Sequence, residues 1–210
     1  MLNSKCKICR RLGQKLFLKG DRCIGQKCAM VRRPYAPGPK GKRRRAPLSE
    51  YGRQLYEKQK IRFAYGMGER QFKKFVKDCL AKSVKEGRGF VDFLIEKLES
   101  RLDNVVFRAG LANSRSKARF FVTHGHFLVN KKLVDLPSYR VKKGDVVSIK
   151  EKSKDKPIFK DLVLSLKKYQ LPSWLELDKK DLEVKIVGIP TKEESSLPGD
   201  LQKIGEFYLR

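Results

Sequence analysis

The sequence predicts an α+β protein, and three observations lead to that prediction. Apolar residues recur at helical spacing through much of the segment 50–106. The stretch "HFLVNKKLVDL" alternates like two short strands about a turn, and "KKGDVVSI" resembles a third strand. Four cysteines stand within the first 28 residues, ahead of both patterns. Helices followed by short strands are typical of the α+β class.

The chain is strongly basic, and the charge is localised. Lys and Arg number 50 against 23 Asp and Glu, which gives a formal net charge of +27 on 210 residues. Residues 1–45 carry +14, residues 46–150 carry +12, and residues 151–210 carry only +1. This distribution predicts a polyanionic partner, and an anionic membrane surface is the main alternative.

Length and targeting patterns narrow the class of protein. A chain of 210 residues can bury one sizeable core or two small ones, so we expect one or two domains. The sequence contains no apolar run of about 18 residues, and its first residues lack the apolar centre of a secretory signal. We therefore expect a cytosolic protein, in which cysteines more often bind metal or stay reduced than form disulfides.

The four early cysteines form two close pairs. Cys6 and Cys9 enclose two residues, 13 residues follow, and Cys23 and Cys28 enclose four. Such pairs across a short loop are typical of a tetrahedral site in which four thiolates hold one structural zinc ion. An iron–sulfur cluster is the alternative occupant, and disulfides or unrelated thiols are the remaining interpretations. Cys79 falls on the apolar face of a predicted helix, so we expect a core thiol there.

A basic segment, "RRPYAPGPKGKRRRAP", follows the quartet. Its spaced prolines and glycines oppose regular structure, and its clustered charges repel one another. We therefore expect an extended, mobile arm that orders on the polyanionic partner. A nuclear localisation signal or a solvated linker is the alternative interpretation.

Helices are predicted for the next part of the chain. Ser49 is a candidate N-cap for a helix through "EYGRQLYEKQKIRFAYG" that ends at Gly66. A second helix is predicted over 69–84, and an apolar stripe continues from Phe90 to Val106, which we interpret as core. The polar positions of the first helix suit a phosphate backbone, because they carry Arg53, Lys58, Lys60 and Arg62.

The pattern changes after residue 111. "LANSRSKARFFVTHG" predicts a short helix capped by Ser114, with Arg115 and Arg119 one turn apart on its outer face. A basic hairpin with its turn at Asn130 and Lys131 follows. A capped helix start that bears arginine beside a basic hairpin can present amides and side chains to one phosphate strand.

Patterns of catalytic chemistry are missing. The sequence has no phosphate-binding Gly-x-x-x-x-Gly-Lys-Ser/Thr loop, and its glycine pairs lack the context of a dinucleotide site. His124 and His126 share one predicted loop without a nucleophile pattern, so contact with nucleic acid or a helix end is the better interpretation. We expect a binding protein rather than an enzyme. Residues 151–210 complete the fold or form a protein contact in this interpretation.

Three long segments resemble one family, in order and at matching spacing. They are "CKICRRLGQKLFLKGDRC" with "KCAMVRRPYAPG", "YGRQLYEKQKIRFAYGMGERQF", and "ESRLDNVVFRAGLANSRSKARFFVTHGHFLVNKKLVDLPSYRVKKGD". Together they are similar to the S-four family of small-subunit ribosomal proteins, in its bacterial type and four-cysteine metal-binding form. The similarity spans essentially the whole chain. The third segment also resembles the small RNA-binding module named after that family.

The resemblance implies a structural function. It implies a primary ribosomal RNA-binding protein that clamps a helix junction in the 5′ domain of small-subunit ribosomal RNA and nucleates its assembly. It also implies a place at the messenger RNA entry region, beside ribosomal proteins S-five and S-three, with a role in translational accuracy in the cytoplasmic ribosome. Neither DNA nor a membrane is expected as a partner. Repression of its own messenger and a role in antitermination stay open.

The resemblance further implies the domain arrangement. It places a metal-binding basic segment and arm at 1–45 and a mainly helical domain at 46–97. An inserted RNA-binding module at 98–159 has two helices packed on a small, mainly antiparallel sheet. A C-terminal tail at 160–210 completes the helical domain.

Site residues are implied by the matching positions and by the basic segments. The metal ligands are Cys6, Cys9, Cys23 and Cys28, which hold zinc, or an iron–sulfur cluster as the alternative. The RNA contacts are Arg22, Lys27, Arg32, Arg33, Lys40, Lys42, Arg43, Arg44, Arg45, Arg53, Lys58, Lys60, Arg62, Ser114, Arg115, Lys117, Arg119, His124, His126, Asn130, Lys131 and Lys132.

Two departures from the family pattern concern these contacts. The family's Pro-Gly-Gln-His-Gly arm is "PGPKG" here, so Lys40 replaces a histidine. The family's Asn-Gly turn is Asn130-Lys131, which puts a non-glycine where positive φ is expected.

Two other functions fit the sequence less well. An RNA-modifying enzyme with the same binding module would need a further catalytic domain, which the sequence does not supply. A zinc-dependent DNA-binding regulator would need a recognition helix after the metal site, and none is laid out there.

Overall fold

The computed structural model describes residues 4–43, 46–154, 156–160, 162, 166, 169–178, 181–195 and 197–209. The chain forms two compact units. The first unit joins Met1–Leu94 to Leu197–Arg210, and the second is Ile95–Ser196. Both ends of the chain therefore belong to the first unit.

The N-terminal segment of the first unit has short helices and a small core. Helix α1 spans Lys5–Leu12 and ends at Gly13, whose φ of 68° lets the chain turn. A 3-10 turn over Gly20–Cys23 and helix α2 over Ala29–Arg32 follow. The core residues and the side chains packed on them are Cys9, Leu16, Leu18, Ile8, Leu12, Met30 and Phe63. So small a core gives this segment little stability of its own.

Two longer helices form the body of the first unit, as the periodicity predicts. Helix α3 spans Glu50–Ala64, and the Ser49 hydroxyl accepts a hydrogen bond from the Gly52 N–H at 3.2 Å. Helix α4 spans Glu69–Glu86 and buries its apolar face, including Cys79. The prediction of a buried core thiol at Cys79 is confirmed.

The C-terminal helix α10, Gln202–Leu209, packs on α3 and α4 within the same unit. Tyr51 and Phe207 have ring centroids 5.4 Å apart, and the Gln54 amide donates to Glu206 at 2.9 Å. A Cβ at Gly205 would lie 3.1 Å from the ring of Phe90, so glycine permits this close approach. The end of the chain thus completes the helical part.

The second unit is a layer of helices on one antiparallel sheet. Helix α5, Phe90–Glu99, leads into it, and α6, Leu102–Arg108, and α7, Arg115–Thr123, share a core with the sheet. The five strands lie in the order β2-β1-β3-β5-β4, and every pair is antiparallel. Their bounds are β1 Phe127–Val129, β2 Lys132–Leu133, β3 Val146–Ile149, β4 Leu175–Asp178 and β5 Glu183–Ile186. Helices α8, Glu151–Lys154, and α9, Pro157–Lys160, connect β3 to the later strands.

The position of residues 160–195 corrects the expected boundary at 159. Strand β5 pairs with β3, with Val184 opposite Val147, and β4 pairs with β5. Trp174 and Ile186 lie in the core shared with α6 and α7. Most of the expected tail therefore extends the sheet of the second unit, because its buried apolar residues complete that core. Of the described tail residues, only those from 197 onward belong to the helical part.

The apolar stripe from Phe90 to Val106 is also not one helix. Arg101 adopts extended backbone angles (φ −68°, ψ 137°) and forms an isolated antiparallel bridge with Arg140. The Leu102 N–H donates to the Tyr139 carbonyl at 2.8 Å, and the Val141 N–H donates to the Ser100 carbonyl at 2.9 Å. The backbone hydrogen bonds of the break are thus satisfied by the segment around residue 140, which sequence periodicity does not show.

A buried carboxylate joins the helices of the second unit. Glu99 is 0% exposed, and its oxygens accept from Arg108 at 2.8 and 3.0 Å and from the Asn104 amide at 2.8 Å. The Arg115 guanidinium lies 3.8 Å from the same carboxylate and donates to the Asn104 oxygen at 2.8 Å. Arg108 also donates to the Ser195 carbonyl. One charge therefore fixes the end of α5, both ends of α6 and the start of α7.

We expect Glu99→Ala to destabilise the second unit strongly. The substitution leaves the Arg108 and Arg115 guanidinium groups partly buried without their carboxylate, which costs about 3–5 kcal/mol for a broken buried pair. Urea unfolding followed by the fluorescence of Trp174, which is buried in this unit, measures the change. Glu183→Gln removes an exposed carboxylate from the same sheet and should stay within about 0.5 kcal/mol of the unchanged protein. Equal stability of the two variants would contradict the assigned role of Glu99.

Candidate metal centre and nucleic-acid interface

The four N-terminal cysteines line one small cavity. Its volume is about 20 Å³, and Leu18, Lys19 and Met30 are among the other residues that line it. The four cysteines come from three short elements, and all are thiols rather than disulfides: Cys6 and Cys9 lie on α1, Cys23 ends the 3-10 turn, and Cys28 precedes α2. The four cysteines, which the sequence spacing predicts to share one site, therefore lie around one cavity.

The surroundings of the sulfurs are those of a largely buried cluster. Cys9, Cys23 and Cys28 are buried, and the Lys19 N–H points at the Cys23 sulfur at 3.4 Å. Burial raises the pKa of the Cys9 thiol, a hydrogen bond with the Leu16 backbone lowers it, and the three other cysteines raise it further. The sulfurs are thus close enough to act on one another electrostatically.

The type of donor atom at this cavity suits a metal ion, but the arrangement of the donors does not. Four sulfurs around one cavity are the ligand type that zinc and iron–sulfur clusters take. Among the residues that the structure describes, however, no group of three or more His, Cys, Asp or Glu side chains is arranged to hold a metal ion. The predicted metal centre therefore stays a prediction, with the correct donors and without ligand geometry.

Basic side chains of the N-terminal segment face solvent. The exposed members of the predicted RNA-contact set here are Arg22, Lys27, Arg32, Arg33, Lys40, Lys42 and Arg43. Arg44 and Arg45 lie outside the described residues. A cluster of exposed cations on one segment is a suitable surface for a phosphate backbone.

The described part of the arm is folded rather than extended. The Gly41 N–H donates to the Gly38 carbonyl at 3.1 Å, and a Cβ at Gly41 would lie 1.9 Å from the Ala36 oxygen. Arg10 of α1 donates to the Arg33 carbonyl at 3.0 Å and to the Tyr35 carbonyl at 2.9 Å. The prediction of an extended arm is wrong for these residues. The sequence does not show the contact, because Arg10 is 23 or more residues away from its acceptors.

The basic residues of α3 divide by burial. Arg53 is exposed and pairs with Glu50 at 3.5 Å, as the sequence predicts for an outer face. Lys58 is only 5% exposed, where it pairs with Glu69 and lies 4.5 Å from the Phe207 ring centroid. Lys58 therefore does not lie on a surface open to RNA, because its charge is used inside the helical unit.

Lys60 and Arg62 are also held within this unit. Lys60 pairs with Glu57 at 2.6 Å. Arg62 pairs with Glu69 at 3.2 Å, donates to Gln59 and lies 4.1 Å from the Phe63 ring centroid. Both side chains are mostly buried, so α3 offers a weaker basic face than its sequence predicts.

The start of α7 is built as predicted, with one correction. The Ser114 hydroxyl accepts from the Lys117 N–H at 3.3 Å, and the Lys117 side chain is exposed. Arg115 turns inward to the Glu99 carboxylate and lies 4.6 Å from the Phe107 ring centroid. The predicted outward position of Arg115 is therefore wrong, while Arg119 is half-buried.

The two histidines have different environments. His124 is exposed, and its ring centroid lies 4.1 Å from that of Phe120. His126 is buried, and its Nδ1 is 2.9 Å from the Ser153 hydroxyl. Burial lowers the pKa of His126, and Lys156, His124 and Lys150 lower it further, which favours the neutral ring. His126 is thus a structural residue, and only His124 is open to a partner.

The β1–β2 turn keeps its conformation without glycine. Asn130 and Lys131 have φ values of 50° and 66°, the positive pair that a type I′ turn requires. The Asn130 amide donates to Asp145 at 2.8 Å, and its oxygen accepts from the Val146 N–H at 3.0 Å. These bonds hold the strained turn, and Lys131 and Lys132 project from it into solvent.

Phe120 is an exposed residue outside the predicted RNA-contact set. It is 53% exposed, on the side of α7 opposite the buried Ala118 and Val122. Its exposure can be predicted from helical spacing, because Lys117, Phe120 and His124 lie three and four residues apart and therefore share one face of the helix.

Within the described parts of the chain, none of the helices has both the length and the apolar character needed to span a bilayer.

Comparisons with known proteins divide the chain near residue 95, as the two compact units do. Residues 1–95 match the family model of the ribosomal protein S4/S9 N-terminal domain, and residues 100–147 match that of the S4 domain. The chain is 48% identical over 203 residues to the small ribosomal subunit protein uS4 of Caldicellulosiruptor saccharolyticus, covering 97% of this chain and 95% of the relative. It is 48% identical over 209 residues to that of Acetivibrio thermocellus, with 98% and 96% covered. It is 47% identical over 206 residues to that of Thermotoga petrophila, with the same coverage of both chains. At this identity over nearly the full length, the chain belongs to the uS4 family of small ribosomal subunit proteins.

Proposed function

We propose that this chain binds the 5′ domain of small-subunit ribosomal RNA as a structural protein and clamps a helix junction there. The observation that carries the proposal is the set of exposed cations on the N-terminal segment and on the hairpin of the S4 domain. Each lies on a surface open to phosphate, whereas the buried cations are tied up in internal pairs. Two separate basic surfaces in one chain suit contacts to more than one RNA helix.

Family membership supplies the general role. The uS4 family consists of structural ribosomal proteins rather than enzymes, so the chain is a ribosomal protein of the cytoplasmic ribosome. Finer roles are part of the proposal and rest on the resemblance: nucleation of 5′-domain assembly, a place at the messenger RNA entry region beside ribosomal proteins S-five and S-three, and a contribution to translational accuracy.

A structural zinc site is the second part of the proposal. Cys6, Cys9, Cys23 and Cys28 would supply four thiolates, and the small core around Cys9 would gain the folding free energy of metal binding. Burial and the three neighbouring cysteines raise the pKa of the Cys9 thiol, and a bound cation would stabilise its thiolate. An iron–sulfur cluster remains the alternative occupant of the same ligands.

RNA binding should be preferential and strongly salt dependent. The protein should bind a 5′-domain ribosomal RNA fragment more tightly than a DNA duplex of equal length, because only the RNA offers the junction. Each phosphate contact should add about 0.7–0.9 to the slope of log affinity against log salt. Filter binding or fluorescence anisotropy across salt measures both quantities. Equal affinity for the two nucleic acids at every salt concentration would refute the specific-RNA proposal.

The hairpin cations should account for part of that slope. The double substitution Lys131→Gln and Lys132→Gln should lower the salt slope by about 1.4–1.8, because each lysine accounts for about one phosphate contact. Lys185→Gln removes an exposed charge from β5 of the same unit and should leave affinity and slope nearly unchanged. An equal effect of the two changes would mean that net charge, rather than the hairpin surface, controls binding.

The metal proposal predicts that the purified wild-type protein holds about one zinc ion per chain. The variant Cys9→Ser should hold none, because it lacks one of the four ligands. The variant should also show faster proteolysis within residues 1–45, because the segment's own core is small. Cys79→Ala changes a buried thiol outside the cluster, so it should keep its metal. Elemental analysis identifies zinc or iron in the same samples. A wild-type protein that is purified without chelators, holds no metal and has a protease-resistant segment would contradict the site.

A further inference from the structure

Helix α7 presents an aromatic stripe to solvent on the face opposite its core. Lys117, Phe120 and His124 follow one another at helical spacing, while Ala118, Phe121 and Val122 are buried on the other side. Phe120 is 53% exposed, although phenylalanine usually gains stability by burial. A stripe of one cation and two aromatic rings on a helix surface is a specific arrangement rather than a scattered apolar side chain.

The exposed rings of Phe120 and His124 lie side by side. The Phe120 and His124 centroids are 4.1 Å apart, and the planes are inclined at 53°, so the faces are not stacked on each other. Because Phe120 is about half exposed, part of its ring face is open to an aromatic ring of a binding partner.

Leu133 extends this surface towards the hairpin. It is 56% exposed on β2, and its Cδ1 lies 3.6 Å from the Cβ position of Gly125, one residue beyond His124. A side chain at Gly125, whose φ is 65°, would be strained and would approach Leu133. The apolar surface therefore continues from α7 to β2 beside a hairpin whose turn carries exposed lysines.

We propose that Phe120 and His124 form a stacking site for an unpaired base of the bound RNA. Aromatic side chains beside cations are the usual platform for single-stranded nucleic acid, because each base has a π-face and each linkage a phosphate. Lys117 on the same helix face and Lys131 and Lys132 on the β1–β2 hairpin are exposed cations, which favours RNA over an apolar protein segment as the occupant. The inference rests on the proposed RNA-binding function and adds one specific contact to it.

The test compares substitutions at Phe120 in the full-length protein with the 5′-domain RNA fragment. Phe120→Ala and Phe120→Leu should weaken binding roughly fivefold to 150-fold, because both lack the π-face. Phe120→Tyr should restore most of the affinity. The salt slope should stay unchanged in all three variants, since no phosphate contact is lost. Ile189→Ala, which truncates another exposed apolar side chain of the second unit, should bind like the wild type.

A structural measurement accompanies the affinities. Ultraviolet crosslinking of the complex followed by trypsin should place a nucleotide on the peptide 120–131, at Phe120 or His124, and Trp174 fluorescence should show unchanged folding of the variants. Wild-type affinity in Phe120→Ala and Phe120→Leu would overturn the stacking site while leaving the RNA-binding function intact. Tight binding in Phe120→Leu alone would also overturn it, because a purely apolar contact would then suffice. Loss of preferential RNA binding in the wild type would instead refute the proposed function itself.

Discussion

The second unit depends on the buried carboxylate of Glu99. A carboxylate without access to water is stable as an anion only when it is fully paired, and here guanidinium and amide groups of α6 and α7 surround it. The requirement is mutual, because Arg108 and Arg115 are themselves mostly buried. Three helices must therefore meet at one point. That meeting sets which face of α7 contacts the sheet and which face remains in solvent.

The same ion pairs explain why composition alone overstates the basic surface. The chain has 50 basic side chains, but several of them neutralise buried or half-buried acids. Lys58 and Arg62 share Glu69, and Arg101 forms a bidentate pair with Asp103. These cations stabilise the units, so they are not available to a polyanion. Exposed cations remain on the N-terminal segment and the hairpin, and α4 carries a further exposed set that includes Lys73, Lys74 and Lys77.

Local signals predicted much of this fold from the sequence. Ser49 and Ser114 cap their helices, as predicted. The apolar periodicity of α4 and the turn at Asn130 and Lys131 also depend only on residues that are close together in the sequence. Most of the misses involve partners that are distant in the sequence, whereas Lys60 pairs with Glu57 only three residues away. Burial of Lys58 depends on residues 11 and about 150 positions away, and the break at Arg101 depends on Arg140. Strands β4 and β5 have short, mixed patterns, so only their pairing with β3 shows where they belong.

The N-terminal segment links the cysteine cluster to the basic arm through Arg10. This arginine lies on α1 next to Cys9, and its guanidinium bonds the carbonyls of Arg33 and Tyr35 and lies 5.0 Å from the Tyr35 ring centroid. Lys42 lies 5.6 Å from the same ring. The position of the arm is therefore set by the position of α1. In a segment with so small a core, a metal bound by the four thiolates would fix α1 against the 3-10 turn and α2, and through Arg10 it would fix the arm as well. The cysteines and the basic run are adjacent in sequence because, under the zinc proposal, the first determines where the second can meet phosphate.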